Sequence, residues 1–180
     1  MTDPGNEHSH HHGSGRKPWS AAVVTASDSV SRGERDDASG PAVATQLTQA
    51  GFVVGHLEVV ADDRDAIARC LRRLADEEQV ALVAITGGTG FAPRDVTPEA
   101  TTDVVERPAP GLAEAMRAAG RDSTPLADLS RGVCGVRGRT LLVDLPGSPR
   151  GATESLEAVL ALLPHALELL AGEDSDHPVA

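Results

Sequence analysis

Short apolar runs alternate with amphipathic stretches along most of this chain. Trp19 to Ala26, Phe52 to Val60 and Val80 to Ile85 are runs of strand length. The last of these, Val-Ala-Leu-Val-Ala-Ile, has no polar position, which predicts a strand buried on both faces, as in a parallel sheet. Between the runs the apolar spacing turns helical. Ser39-Gly40-Pro41 predicts a helix start with Ser39 as cap, running to about Ala50 and stopped by Gly51. Asp63 opens a second helix, with Ile67, Cys70, Leu71 and Leu74 on one face. Pro98 suits a first helical position, with Thr97 as its cap. Pro108 and Pro110 end that helix, and a short one holding Leu112, Ala115 and Met116 follows. Val133 to Val136 and Thr140 to Leu145 predict two strands joined by a tight turn at Arg137-Gly138. The last helix is expected from about Thr153 to Leu170, bent at Pro164 and ended by Gly172.

Strands alternating with helices imply an α/β fold. The expected architecture is a three-layer sandwich, a mostly parallel sheet flanked by helices, plus a small β-hairpin. One domain should span residues 18–172. Residues 1–17 carry His8, His10, His11 and His12 among Gly, Ser and charged residues. They read as a metal-binding tract or, far more simply, as a disordered tail, native or added as a tag. Residues 173–180 read as a polar tail.

Composition narrows the chemistry. The net charge is −11 and the aromatic content is 2%, with no Tyr. Both argue against a nucleic-acid partner held by phosphate contacts and stacking. They also mean that an anionic ligand needs local donors or a cation. Cys70 and Cys134 stand in apolar surroundings without a Cys-x-x-Cys pair, as expected of buried free thiols in a reducing compartment. No signal peptide or membrane-spanning run is visible, so a cytoplasmic location away from membranes is expected.

The candidate chemistry centres on Thr86-Gly87-Gly88-Thr89-Gly90 and the following residues to Thr97. Glycines after a buried strand let backbone N–H groups approach an anion, and the helix start beyond adds unpaired donors. The spacing is neither a P-loop nor a dinucleotide fingerprint. In a parallel sheet the strands end at one edge, so Ser27-Asp28, Asp62-Asp63, Gly87 to Asp95 and Gly147-Ser148 should share one rim. Each loop has a plainer reading as a turn or helix cap; their convergence is harder to dismiss than any one of them.

Several separated segments resemble the molybdenum-cofactor biosynthesis family, the Mog and MoaB proteins and the gephyrin G domain. They are Thr25 to Ser29, Asp37 to Gly40, Val60 to Asp63, Thr86 to Thr101, Leu129 to Arg131, Cys134 to Gly138 and Leu145 to Pro149. One departure is Ala61, where the family often has Pro. The resemblance implies adenylyl transfer: the terminal phosphate of molybdopterin attacks the α-phosphate of ATP, pyrophosphate leaves, and Mg²⁺ is required. It further implies that Asp62 and Asp95 are the catalytic and metal-holding carboxylates. Ser27, Asp28, Thr86, Gly87, Gly88, Thr89, Gly90, Ser130, Arg131, Gly147 and Ser148 would bind nucleotide and pterin. A homotrimer and hand-over to a molybdenum-insertion protein are expected on the same ground. The alternatives are a protein of the same fold that binds pterin or serves as a partner without adenylylating anything, and a nucleotide-binding enzyme with unrelated chemistry.

Overall fold

The computed structural model describes residues 18–172; the expectations for 1–17 and 173–180 lie outside the described residues. The strands are β1 (Ser20–Ala26), β2 (Val53–Val60), β3 (Leu82–Thr86), β4 (Arg107–Pro108), β5 (Cys134–Arg137) and β6 (Thr140–Leu145). They form one sheet in the order β2-β1-β3-β6-β5-β4. β2, β1, β3 and β6 run parallel, while β5 is antiparallel to β6 and β4 to β5. The helices are α1 (Asp28–Ser31), α2 (Ser39–Gln49), α3 (Arg64–Arg72), α4 (Thr97–Thr102), α5 (Pro110–Gly120), α6 (Pro149–Leu160) and α7 (Leu163–Ala171).

The period of two along the central strands divides the core into two layers. Ala21, Val23, Leu82, Ala84, Leu141 and Val143 face one side, against Val43 and Leu47 of α2, Met116 of α5, Leu156 of α6 and Leu163 of α7. Ala22, Val24, Val83, Ile85 and Leu142 face the other, against Ile67 and Leu71 of α3 and Ala100 of α4. The expected α/β sandwich therefore holds. With few aromatic residues, aliphatic side chains fill both layers.

Local chemistry moved several boundaries. The turn joining β5 and β6 is Gly138-Arg139, one residue later than expected, because Arg137 pairs with Thr140. Gly138, at φ +55°, takes the first central position, which suits the glycine-first type II′ turn. Ser39 does not cap α2. Ala38 occupies the cap position, and the Gly40 N–H donates instead to the Asp37 carboxylate at 3.0 Å. Thr97 is the first residue of α4 rather than its cap. The expected long last helix starts earlier, at Pro149, where Ser148 caps it by accepting from the Gly151 N–H at 3.1 Å. It is also two helices: a proline nitrogen cannot donate and its ring crowds the preceding turn, so Pro164 opens α7 instead of bending a continuous rod. The sequence pattern missed β4, a two-residue edge strand containing Pro108. Both cysteines are buried and free. Burial pushes the Cys70 thiol up to about 11 and the Cys134 thiol up to about 12.

β6 carries one buried acid among its aliphatic residues. Asp144 accepts from the Thr101 hydroxyl at 2.7 Å and from the Val133 N–H at 3.1 Å, so it ties α4 and the entry to β5 onto the sheet. Burial pushes its carboxyl from the ordinary 3.8 up to about 7, against those opposing bonds. An acid whose folded pKa is raised makes folding less favourable as pH climbs between the unfolded and folded values. Asn in its place keeps the shape, accepting from Val133 and donating to Thr101. Asp144→Asn should match the parent protein in stability near pH ~4 and exceed it increasingly up to pH ~8, by on the order of 1–2 kcal/mol. Urea unfolding across that range checks this; an advantage that does not grow with pH refutes it.

Candidate active site at the strand ends

The parallel strands deliver their C-terminal loops to one edge, and glycine decides how closely those loops pack. Gly87 has φ +102°, and a Cβ there would lie 2.2 Å from the carbonyl oxygen of Ala26. A Cβ on Gly147 would lie 3.2 Å from the Cα of Gly87. The ends of β1, β3 and β6 therefore meet backbone to backbone. Thr86 and Gly87 belong to this seam. Thr86 is fully buried and its hydroxyl donates to the Pro146 carbonyl at 2.7 Å. The Gly87 N–H donates to the Leu145 carbonyl at 3.2 Å.

Beyond the seam, residues 88–96 form a loop held from behind by Arg131. The Arg131 guanidinium donates to the carbonyls of Gly90 and Asp95, each at 2.7 Å, and to the Glu99 carboxylate. Its backbone N–H donates to the Thr89 carbonyl at 2.8 Å, and its guanidinium lies 5.9 Å from the Phe91 ring centroid. The Arg131 bonds hold the Glu99 carboxyl below its ordinary value. Asp95 turns one carboxylate oxygen back on its loop, accepting from the Ala92 N–H at 2.8 Å. The neighbouring Ser130 hydroxyl accepts from the Gly132 N–H at 3.3 Å.

Asp62 and Asp28 hold each other's loops. The Asp28 N–H donates to the Asp62 carboxylate at 2.8 Å, and the Asp62 N–H donates to the Asp28 carboxylate at 3.0 Å. This pairing steadies the segment after Ala61. Of the two adjacent acids, Asp63 is the helix cap, accepting from the Ala66 N–H at 2.8 Å, so Asp62 is left for the rim. Ser27 caps α1 through the Val30 N–H at 3.4 Å. Arg94 bonds Asp28 across the two loops, at 2.7 Å. Burial alone would raise the Asp28 carboxyl; the bonds from Arg94 and the Asp62 N–H outweigh it and hold it below its ordinary value. The Asp62 carboxyl moves the other way, raised first by burial and then by the Asp28 and Asp95 carboxylates, against the bond from the Asp28 N–H.

Two clefts open on this rim. One, of about 450 Å³, has apolar walls from Ala113, Met116, Leu126 and Leu129 and polar lining from Thr89, Gly90 and Ser130. The other, of about 690 Å³, is lined by Ser27, Asp36, Asp37, Asp62 and Gly87. Gly88, Asp95, Gly147 and Ser148 line both, so the clefts meet at the glycine loop. Two bulky reactants can enter from different sides and meet there.

The meeting point also suits a hard cation. Gly88 sits at φ +61°, and a Cβ there would lie 2.6 Å from the Thr97 hydroxyl and 3.3 Å from Asp62 Oδ1. That hydroxyl is buried with no hydrogen-bond partner among the described residues, and Asp62 is bonded through its other oxygen. Gly88 therefore packs without a side chain between the buried Thr97 hydroxyl and the free oxygen of Asp62. Among the described residues no three His, Cys, Asp or Glu side chains cluster as a protein-only metal cage. Magnesium needs no such cage, because it takes one or two carboxylates and completes its shell with water and phosphate. Asp62 and Asp95, which line the clefts, fit that requirement.

Residues 22–165 match the family model described as "Probable molybdopterin binding domain". The chain belongs to this molybdopterin-binding family. It is 42% identical over 154 residues to the molybdopterin adenylyltransferase of Helicobacter pylori strain J99, covering 83% of this chain and 86% of that one. Its fold is similar to the molybdopterin biosynthesis enzyme MoaB of Thermus thermophilus, at a TM-score of 0.82 and 52% identity, covering 86% and 97% of the two chains. It is also similar to the molybdopterin biosynthesis Mog protein of Mycobacterium ulcerans, at a TM-score of 0.81 and 41% identity over 87% and 99%. The sequence pattern marks Thr97 as a helix cap and gives Arg94 no role. Packing puts Thr97 directly beneath Gly88, and a bond to Asp28 brings Arg94 to the rim. Neither spacing nor residue type signals such contacts.

Arg131 should act on the shape of the glycine loop. Arg131→Gln removes the bonds to Gly90, Asp95 and Glu99 together. It should leave the sheet intact and speed amide hydrogen exchange in residues 88–96 by at least ~10-fold, since loops open locally when their holding bonds go. Exchange mass spectrometry on the variant checks this; unchanged rates would mean the loop is held by other means.

Proposed function

We propose that this chain is a molybdopterin adenylyltransferase, carrying AMP from ATP to the terminal phosphate of molybdopterin. The observation that carries the reading is the meeting of two clefts at the Gly88–Asp95 loop. The apolar-walled cleft suits the organic body of molybdopterin, with Ser130 and Thr89 supplying polar contacts. The carboxylate-rich cleft takes the nucleotide. At the junction, the Gly88 and Gly90 backbone brings the two phosphates together without a side chain in the way. The attacking oxygen of molybdopterin forms a bond to the α-phosphorus, and the bond from that phosphorus to the β-phosphate oxygen breaks. Pyrophosphate leaves with the electron pair. Such a transfer needs alignment and charge neutralisation more than covalent help from the protein.

Mg²⁺ bound to Asp62 and Asp95 would neutralise charge developing on the phosphates. The chain's own residues hold that arrangement. Asp28 orients Asp62 through the reciprocal backbone bonds, Arg131 sets the loop that carries Asp95, and Ser148 caps α6 beside the junction. Thr86 and Gly87 act through the seam. A homotrimer and transfer of the product to a molybdenum-insertion protein belong to the same proposal. Association is supported by the edge strand β2, where Val53, Leu57 and Val59 are 53%, 50% and 41% exposed.

The reaction test is pyrophosphate release with ATP, magnesium and molybdopterin, each omitted in turn. Asp62→Asn and Asp95→Asn should remain folded and bind molybdopterin, yet lose at least ~100-fold in rate, since each ~1.4 kcal/mol of barrier is tenfold. Near-normal turnover at limiting magnesium in either variant would make that aspartate structural. A wild-type protein that binds molybdopterin but releases no pyrophosphate would favour the pterin-binding alternative. For assembly, light scattering should give three copies per particle, and Leu57→Glu should shift the mass toward the monomer without unfolding the chain. A monomeric wild-type protein would end that part of the proposal.

A further inference from the structure

The carboxylate-rich cleft is an unusual place to put a triphosphate. Asp36, Asp37, Asp62 and Asp95 line it, and the chain as a whole carries a net charge of −11. Among the described residues, its single basic lining residue is Arg35, in the loop before α2. The basic residue of the other cleft, Arg117, is turned to the carbonyls of Ser130 at 3.4 Å and Gly132 at 3.2 Å. Among the described residues, Arg35 differs from nearby Arg32 in having no partner. Arg32 pairs with Glu34 at 2.8 Å, whereas the Arg35 guanidinium forms no hydrogen bond or ion pair among the described residues. Its loop is nonetheless anchored. Two residues on, Asp37 accepts from the Thr25 hydroxyl at 2.7 Å and from the Gly40 N–H at 3.0 Å, which ties the loop to the end of β1 and the start of α2. An exposed cation on an anchored loop, lining the cleft and without a carboxylate partner, is placed to meet an anion that enters from solvent.

We infer that Arg35 holds the β- and γ-phosphates of ATP, and then the departing pyrophosphate, in the carboxylate-rich cleft. The inference rests on the adenylyl-transfer reading above. An in-line displacement puts the leaving oxygen opposite the attacking one. With molybdopterin entering through the apolar-walled cleft, the β-phosphate must point away from it, into the cleft that Arg35 lines. The guanidinium stays charged at any working pH and its planar fork matches two phosphate oxygens. The protein supplies this charge from the side, leaving the junction to the metal and the glycine backbone. On this inference AMP, lacking the two outer phosphates, gains nothing from Arg35.

The test compares wild type and Arg35→Gln, both as the full chain with magnesium, by titration calorimetry against inorganic tripolyphosphate and against AMP. Tripolyphosphate should bind the wild type and bind Arg35→Gln at least ~10-fold more weakly, the loss of about one charge-assisted contact. AMP affinity and the melting temperature should not change. In turnover the variant should show a raised KM for ATP with a smaller change in kcat. Equal tripolyphosphate affinity in the two proteins, an equal loss for AMP, or no tripolyphosphate binding by the wild type would each overturn the inference. A wild type that binds tripolyphosphate through Arg35 but releases no pyrophosphate from ATP and molybdopterin would instead overturn the adenylyl-transfer reading and leave the polyphosphate site standing.

Discussion

The rim depends on the close approach of three backbone segments at Gly87. Its Cα lies where any side chain would collide with the carbonyl of Ala26, and Gly147 closes on it from the other side. Because these segments touch, the residues that leave β1, β3 and β6 are fixed relative to one another by backbone contact before any loop side chain adds its bonds. Thr86 strengthens the seam from below with its buried bond to Pro146. Everything proposed for the site is built on that contact: the two clefts are the spaces on either side of it, and Asp62 and Asp95 flank its outer edge.

Around the seam, carboxylates and guanidiniums act mostly on backbone. Asp28 and Asp62 accept each other's N–H groups, Asp37 anchors Gly40, Asp63 caps α3, and Arg131 holds two loop carbonyls. Charged side chains at such positions shape loops that lack regular hydrogen bonding, since buried or half-buried backbone groups must find partners. This division of labour fits the phosphate site proposed for so acidic a chain. Under the proposed function the glycine backbone and a metal would meet the phosphoryl groups, while Arg117 and Arg131 are turned to loop carbonyls.

The raised Asp62 carboxyl and the raised Asp144 carboxyl have different physical origins. Asp62 is half-buried and crowded by two other carboxylates, a strain that a bound cation would relieve. Asp144 is enclosed in the sheet and raised chiefly by burial, while Thr101 and Val133 supply its bonds. The first lies at the junction of the two clefts; the second is a tether between layers. A raised value alone does not distinguish them, but the open oxygen of Asp62 and the saturated surroundings of Asp144 do.

The pattern of apolar residues by itself determined the α/β class, the buried β3 and the gathering of four loops at one rim, because a period of two and a period of 3.6 are local properties of the chain. It also marked the glycine loop and placed the Asp62-Asp63 pair and Asp95 after strands; the choice of Asp62 and Asp95 as the functional carboxylates came from the family resemblance, since two adjacent acids look alike in one dimension. Helix starts were legible only roughly: Ser39 and Thr97 have the right chemistry for caps, yet Asp37 took the first role, and packing against Gly88 turned Thr97 inward. A strand as short as β4, with a proline in it, leaves no periodic signal. The pairing of Asp28 with Asp62, the grip of Arg131 on a loop more than thirty residues away, and the open position of Arg35 were decided by the tertiary structure alone. Those contacts join segments distant along the chain, and which donor meets which acceptor follows from how the sheet stacks its loops.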